Sequence, residues 1–350
     1  MQSLKQIIVG GLILLGTLQA QSFYTGLSYG SEALFNPVTV MLNNGYDILQ
    51  LGNRPRNILN LPYMHASGNV WKSITHPGRT ISEYGTKTFI TSELFPLKFS
   101  IKYVQWWPNY NVHLIGGGMT YRMLIEWYEH HHFPTPKLFS IATVSAYHYL
   151  NEVVENDRYT GYNGDAVADL LFFDIAGVIL FSNDRVAKFF KETLNMSDWS
   201  LQPSFRLGDK TLHNNGQYFT LKWDLPFSET WQLFYTFGMD GLVGLSYQMD
   251  QEHTVSFGAG AIGRELVDVD VEKNIKTVEL IGTLGVFYDR NNSLLASLKI
   301  GNHIDYQAVL NIYPGIIKLR GFAPGVWTAV NKHGEFLFGV TTLWTPGLVF

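Results

Sequence analysis

His148, Glu152 and Glu155 fall at i, i+4 and i+7 in YHYLNEVVEN, a spacing that stacks one imidazole and two carboxylates on a single helical face. Asp165 and Asp169 repeat the i, i+4 interval in GDAVADLLFFD. His113 heads VHLIGGGMTYR, where Gly116, Gly117 and Gly118 would let another backbone come close. If the helices that carry them pack together, His113, His148, Glu152, Asp165 and Asp169 converge. Such a group has two chemical uses: imidazole and carboxylate ligands for a divalent cation, or a His148 and Glu152 pair for general acid–base hydrolysis. It also has a structural use, a buried hydrogen-bonded network that locks helices together while Asp165 caps one of them. The structural use is the default for such clusters. The metal question stays open, and nothing in the residue types requires an organic cofactor.

Other motifs carry less. His130, His131 and His132 are consecutive, so their side chains point in different directions, as in a solvated loop before Pro134. Gly116 to Gly118 lacks both the preceding strand and the following Lys-Ser/Thr of a nucleotide loop, and no G-x-S-x-G elbow is present. The chain has no cysteine, which excludes disulfides, thiolate metal sites and Cys nucleophiles. A formal net charge of -4 gives no basic field for nucleic acid. Charged residues make up only 15%, against roughly 25% in an average soluble domain, and aromatics another 15%. Something other than water is expected to face much of this surface.

The elements that would position the chemistry lie between Asn109 and Leu194, where the apolar period is close to 3.6. One helix is predicted from about Val112 to Glu129, ended by Pro134 and Pro136, and a second from Lys137 to Asn156. A third follows GYNGD, with Asp165 as N-cap, and runs to Phe181; a fourth spans Asn183 to Thr193. Ala166 to Phe181 is apolar but short for a membrane span, and Asp169 and Asp174 would be costly in lipid, so it reads as a helix buried in protein. Upstream, residues 21–108 are punctuated by turn signals and are expected to form short strands or loops, with one helix near Ser82 to Leu94. The cluster Trp106-Trp107-Pro108-Asn109-Tyr110 suits either a membrane interface or a buried aromatic knot. Residues 1–20, with Lys5, the apolar run IIVGGLILL and GTLQA, read as a signal peptide cleaved near Ala20, the alternative being an uncleaved anchor.

After Trp199 the period becomes two. In QYFTLKWDL, Phe219, Leu221, Trp223 and Leu225 occupy one face, and Tyr218, Thr220, Lys222 and Asp224 the other. The alternation returns at Trp231 to Gly238, Leu242 to Met249, Thr254 to Ile262, Lys276 to Tyr288, Ser293 to Ile300 and Tyr306 to Tyr313. Short connections are expected at Met239-Asp240 and Asp250-Gln251, and longer ones near Asp209 to Gly216, Gly263 to Ile275 and Gly321 to Gly334. The chain ends in an aromatic strand with Phe336, Phe338, Val340, Thr342 and Trp344 on one face, interrupted at Pro346-Gly347. A serial array of this kind behind a signal peptide implies an antiparallel transmembrane β-barrel of eight to ten strands. Its apolar face would meet lipid, and Arg206, Lys222, Asp224, Glu279 and Lys299 would point into a filled lumen.

The segments WPNYNVHLIGGGMTYRMLIEWYEHH, YHYLNEVVEN and GDAVADLLFFDIAGVILF, followed by WSLQPSF and the strand array, resemble an uncharacterised family of bacterial outer-membrane proteins with a helical region before a barrel. The helical part, about Asn109 to Phe181, is also distantly similar to VanZ-like and YfiM-like segments, in which His, Glu and Asp recur on successive helices. The resemblance implies a place in the envelope and a role for His113, Glu152 and Asp169, and no mechanism. The expected protein is therefore mainly β with a helical subdomain: residues 1–20 a signal peptide, 21–108 an irregular region, 109–198 a three- or four-helix subdomain and 199–350 the barrel. It would sit in a Gram-negative outer membrane, with lipids and the barrel assembly machinery as partners, in a structural or lipid-handling role. The rivals are a membrane-embedded lipid or glycolipid hydrolase and a periplasmic barrel that binds an apolar ligand.

Overall fold

The computed structural model describes residues 23–96, 107–270, 275–301, 306–343 and 345–350. The expected signal peptide, Trp106 and Trp344 lie outside them. The first half is helical: α1 (Pro37–Gly45), α2 (Tyr63–Thr75), α3 (Pro77–Tyr84), α4 (Thr86–Phe89), α5 (Gly118–His130), α6 (Pro136–Asn156), α7 (Gly164–Ala168), α8 (Asp174–Phe181) and α9 (Asp184–Lys188). Four π-helical stretches join them: Ile90–Leu94, Trp107–Gly117, Asp169–Phe173 and Phe189–Thr193.

The region before Pro108 differs from expectation, being built from helices rather than short strands. Asn36 starts α1 by accepting from the Val38 and Thr39 amides, with Pro37 in the first turn, where its missing N–H costs nothing. The helix expected at Ser82 to Leu94 is broken at Gly85, which lies in the left-handed region between α3 and α4. Asp165 is not the N-cap of the third predicted helix. Asn163 is, its side chain accepting from the Ala166 amide.

The second half is one thirteen-stranded, mostly antiparallel sheet: β1 (Ser197–Asp198), β2 (Ser204–Arg206), β3 (Thr211–His213), β4 (Phe219–Asp224), β5 (Trp231–Phe237), β6 (Asp240–Gln248), β7 (His253–Asp270), β8 (Ile275–Arg290), β9 (Ser293–Gly301), β10 (Ala308–Ile312), β11 (Gly325–Val330), β12 (Phe336–Thr341) and β13 (Gly347–Val349). Sequence neighbours pair from β4 through β13, β13 then pairs in parallel with β2, and the terminal strands of the ladder, β1 and β3, do not pair with each other. Thirteen strands exceed the eight to ten expected because β1, β2, β3 and β13 are too short to show a period. Two expected loops are absent. Gly263 to Ile275 is largely taken up by a long β7–β8 hairpin, and Gly321 to Gly334 contains β11. The carboxy-terminal segment is two strands, β12 and β13, folded onto each other with Gly339 opposite Val349.

The two faces of the sheet are unlike. A continuous register places Trp223, Leu233, Leu245, Phe257, Val286, Leu298 and Leu310 side by side across β4 to β10. These are exposed, Trp223 by 55% and Phe257 by 50%. One residue away, the opposite face carries Lys222, Phe234, Gly244, Gly258, Gly285 and Lys299 in register. There Lys222 is 2% and Phe234 0% exposed. Lys222 Nζ lies 2.7 Å from Asp289, and Lys299 Nζ 2.6 Å from Asp240. Of the five charges expected behind the apolar face, these two lysines are enclosed. Asp224 is exposed at a strand end, Arg206 pairs with Asp209 at a turn, and Glu279 is half-exposed beside Arg264 on the long hairpin. Phe219 and Phe237 depart from the apolar row in the other sense, being buried against the helices.

Removing one partner of a buried ion pair strands the other charge. Lys222→Ala is expected to destabilise the protein by roughly 3–5 kcal/mol in denaturant titration in detergent, and Lys222→Met with Asp289→Leu to recover most of the loss.

Candidate functional site

Two wide helical turns position the site. His113 lies on the π-helical stretch Trp107–Gly117, and Asp169 opens the π-helical stretch Asp169–Phe173, which ends where Asp174 begins α8. The i→i+5 bonding of a π turn brings residues five apart closer to one face than an α turn does. Asp169 and Asp174 can therefore both address the same imidazole. His148 and Glu152 come from successive turns of α6.

The glycines let these elements close. A Cβ on Gly118 would stand 2.8 Å from the Gly177 carbonyl oxygen, and one on Gly177 would stand 2.6 Å from that of Leu114. The backbones of α5 and α8 thus touch where any side chain would hold them apart. Gly116 admits the Phe219 ring, and Gly117 lies against His148.

His113 Nε2 is 3.4 Å from Asp169 Oδ2, and its Nδ1 is 3.4 Å from Asp174 Oδ1. His148 Nδ1 is 2.6 Å from Asp174 Oδ2. All five groups, Glu152 included, are buried. The approaches are close but poorly angled. His113 Nδ1, His148 Nδ1, Asp169 Oδ1, Asp174 Oδ1 and both carboxylate oxygens of Glu152 have no hydrogen-bond partner among the described residues. Two groupings have ligand atoms within 4.8 Å of one another: His113, His148 and Asp174, and His113, Glu152 and Asp169.

Electrostatics follow from this crowding. Burial alone would depress His113, but Asp169 and Asp174 hold it up at about 9. Burial raises Asp169 to about 7 against the pull of His113. Burial and then the neighbouring carboxylates drive Glu152 well above the usual range. Asp174 goes the other way: the two imidazoles outweigh its burial and lower it, while burial lowers His148 despite Asp174.

The cluster forms one wall of a cavity of about 210 Å³. His113, His148, Asp169, Glu155 and Asp165 line it from the helices, with Glu93 and Asp47 beside them. Trp107, Gly241, Ala261 and Leu280 line the far side. Gly241 and Ala261 are opposite one another in register with Phe237, on the face that carries the exposed apolar row.

Of the residues singled out in the sequence, His113, His148, Glu152 and Asp169 converge, whereas Glu155 and Asp165 stand farther along the same cavity. The carboxylate placed against His148 is Asp174, which in sequence is only a charge in an apolar helix. Its five-residue spacing from Asp169 was the available signal, legible only if the helix widens there. In the described part of the aromatic cluster, Trp107 and Tyr110 are partly buried: Trp107 Nε1 donates to the Gly238 carbonyl, and Tyr110 donates to that of Leu94. His131 stacks on Trp127, and His130 lies edge-on to Tyr24.

No family model, curated protein or solved structure matches the chain, so the geometry carries the functional argument.

Asp47 accepts from Gln50 and from the Gln217 amide, and its remaining surface is cavity wall. Burial lifts its carboxyl from 3.8 to about 7, against the lowering effects of those hydrogen bonds and of His113 and with a small push from Asp240. A folded value above the unfolded one gives stability that is full below the unfolded value and lost as pH rises through about 7. Asp47→Asn is expected to raise stability at pH 8 by roughly 2 kcal/mol, the shift being halved for screening by cavity water. It should change little at pH 4, as read by urea unfolding at both pH values.

Proposed function

We propose that the chain is an integral β-barrel of a Gram-negative outer membrane, exported by a signal peptide, in which the helical subdomain holds a polar site beside the lipid-facing wall for handling envelope lipids. The observation that carries this reading is the inversion of the sheet, with an apolar row exposed across β4 to β10 and lysines sealed behind it. A soluble protein hides the first and displays the second.

Closure is supported by contacts between strands that are not neighbours. Lys222 of β4 reaches Asp289 of β8, and Lys299 of β9 reaches Asp240 of β6. The stretch 197–206 pairs with β4 at one end and with β13 at the other. Between them the Trp199 and Leu201 amides donate to the Tyr218 and Gly216 carbonyls, in the register that also sets Ser204 against His213. This stretch is the seam that joins the first and last parts of the wall. The space within is filled by Trp199, Phe234, Phe287, Leu242 and Tyr313, leaving a pocket of about 60 Å³, too small for a conducting pore or for the apolar ligand of a periplasmic carrier.

Trp231, Tyr247 and, two strands farther on, Tyr288 form an aromatic edge above the apolar row. Asp250, Glu252 and Arg290 lie just beyond, as at a membrane–water boundary. The cavity opens below, between the helices and the lipid-facing side of β6 to β8, where a chain from the bilayer could enter along Ala261 and Leu280 and bring a headgroup to the polar cluster. The hydrolytic reading has its own observation in the His148–Asp174 pair, an imidazole held by a carboxylate at the cavity wall.

The full chain extracted from membranes is expected to migrate differently on a gel before and after boiling, and to stay with lipid rather than the aqueous fraction. Leu245→Arg should lower stability in bilayers by roughly 2–4 kcal/mol, whereas a solvent-facing position would change by about 0.5 kcal/mol or less. An unboiled species identical to the boiled one, or a neutral Leu245→Arg, would remove the barrel.

A further inference from the structure

The two sides of the His113 ring are not equivalent. Nδ1 faces Asp174, which is itself engaged by His148 Nδ1 at 2.6 Å. Nε2 faces Asp169, with Glu152 completing a group whose ligand atoms lie within 4.8 Å of one another. Glu152 is 1% exposed, and among the described residues neither of its oxygens nor Asp169 Oδ1 has a hydrogen-bond partner. Leaving a buried carboxylate unmatched costs several kcal/mol, on the order of the penalty for one ion. Helix packing that gathers two of them within 4.8 Å of one imidazole is the arrangement of a ligand set.

We propose that His113 Nε2, Glu152 and Asp169 bind one divalent transition-metal cation, with Asp174, 3.4 Å from Nδ1, as the carboxylate that would orient the His113 ring once the ion is bound. The 3.4 Å between His113 Nε2 and Asp169 Oδ2 is the edge expected when both ligands sit about 2.1 Å from a shared ion. Two carboxylates neutralise the charge of the dication, and an imidazole in the set favours Zn²⁺, Fe²⁺ or Ni²⁺ over Ca²⁺ and Mg²⁺, which take oxygen. The carboxylate on the far ring nitrogen is the usual way a metal-binding histidine is oriented. Three protein ligands leave coordination positions free on the side where His113 and Asp169 line the cavity, so an oxygen of a bound molecule can reach the ion. The site goes beyond the membrane reading and stands or falls separately from it.

The test uses the full chain in detergent, stripped with a chelator and titrated with Mn²⁺, Zn²⁺ and Co²⁺, in a background carrying His130→Ala, His131→Ala and His132→Ala to remove the exposed imidazoles. One saturable site is expected, with a Co²⁺ absorption band shaped by a nitrogen ligand. Glu152→Gln and Asp169→Asn should each weaken binding by about 100-fold or more, and Asp174→Asn by about 10–100-fold. The near-ultraviolet circular dichroism spectrum checks that each variant is folded, and the Co²⁺ spectrum of the parent chain needs no variant. Absence of saturable binding to the parent chain would overturn the proposal. So would undiminished binding in folded Glu152→Gln together with its loss in His148→Gln, which would place the ion on the other side of the ring.

Discussion

Lys222 and Trp223 are consecutive, and on opposite sides of one strand they meet opposite surroundings. The lysine is enclosed with Asp289 beneath the Trp199 ring, while the tryptophan is more than half exposed. Much of the rest of the molecule depends on that inversion. An ammonium buried with a single carboxylate is tolerated only where the wall in front of it excludes water and the pair keeps good geometry. An exposed apolar row seven side chains long marks a surface that meets something other than bulk water, a membrane or a partner. In this reading the sheet divides two environments, and the helices close one end of it.

The helical subdomain is fastened to this wall and gains its shape from it. Phe219 and Phe237, which continue the apolar face, are covered by Met119, Tyr121 and their neighbours, and Trp107 packs over Gly241 and edge-on to Tyr235. The same contacts hold the stretch Trp107–Gly117 in place and so set where His113 points. The polar site and the apolar face of the sheet are built by one set of packing contacts, which is why the cavity has carboxylates on one wall and Ala261 and Leu280 on the other.

Much of this could be read from residue order, and what could not has physical reasons. Several of the longer strands announce themselves by alternation, so β5, β6, β9 and β10 fall within two residues of their expected limits, whereas the six-residue β11 is hidden in a segment whose Gly and Pro residues read as a loop. β1, β2, β3 and β13 span two or three residues, too few to show a period. His113, His148, Glu152 and Asp169 were legible because α-helical spacing and the Gly116 to Gly118 run announce a close helix packing. Asp174 was not, because the π turn that brings it round to His113 has no signature in an apolar run such as LLFFDIAGVILF. The helices before Pro108 were misread because the many Asn, Gly and Pro residues there cap and separate short helices, and such residues also punctuate strands.

The absence of cysteine from the natural chain makes one direct measurement clean. Single cysteines placed at Phe257, Val286 and Leu298, and at their inward neighbours Ser256, Phe287 and Ser297, can each carry a spin label in reconstituted bilayers. Accessibility to oxygen and to a water-soluble nickel chelate is then compared along each strand. The account requires high oxygen and low nickel accessibility at the first three positions, and low accessibility to both at the second three. Nickel accessibility at Phe257, Val286 and Leu298 equal to that of a water-exposed loop would contradict it.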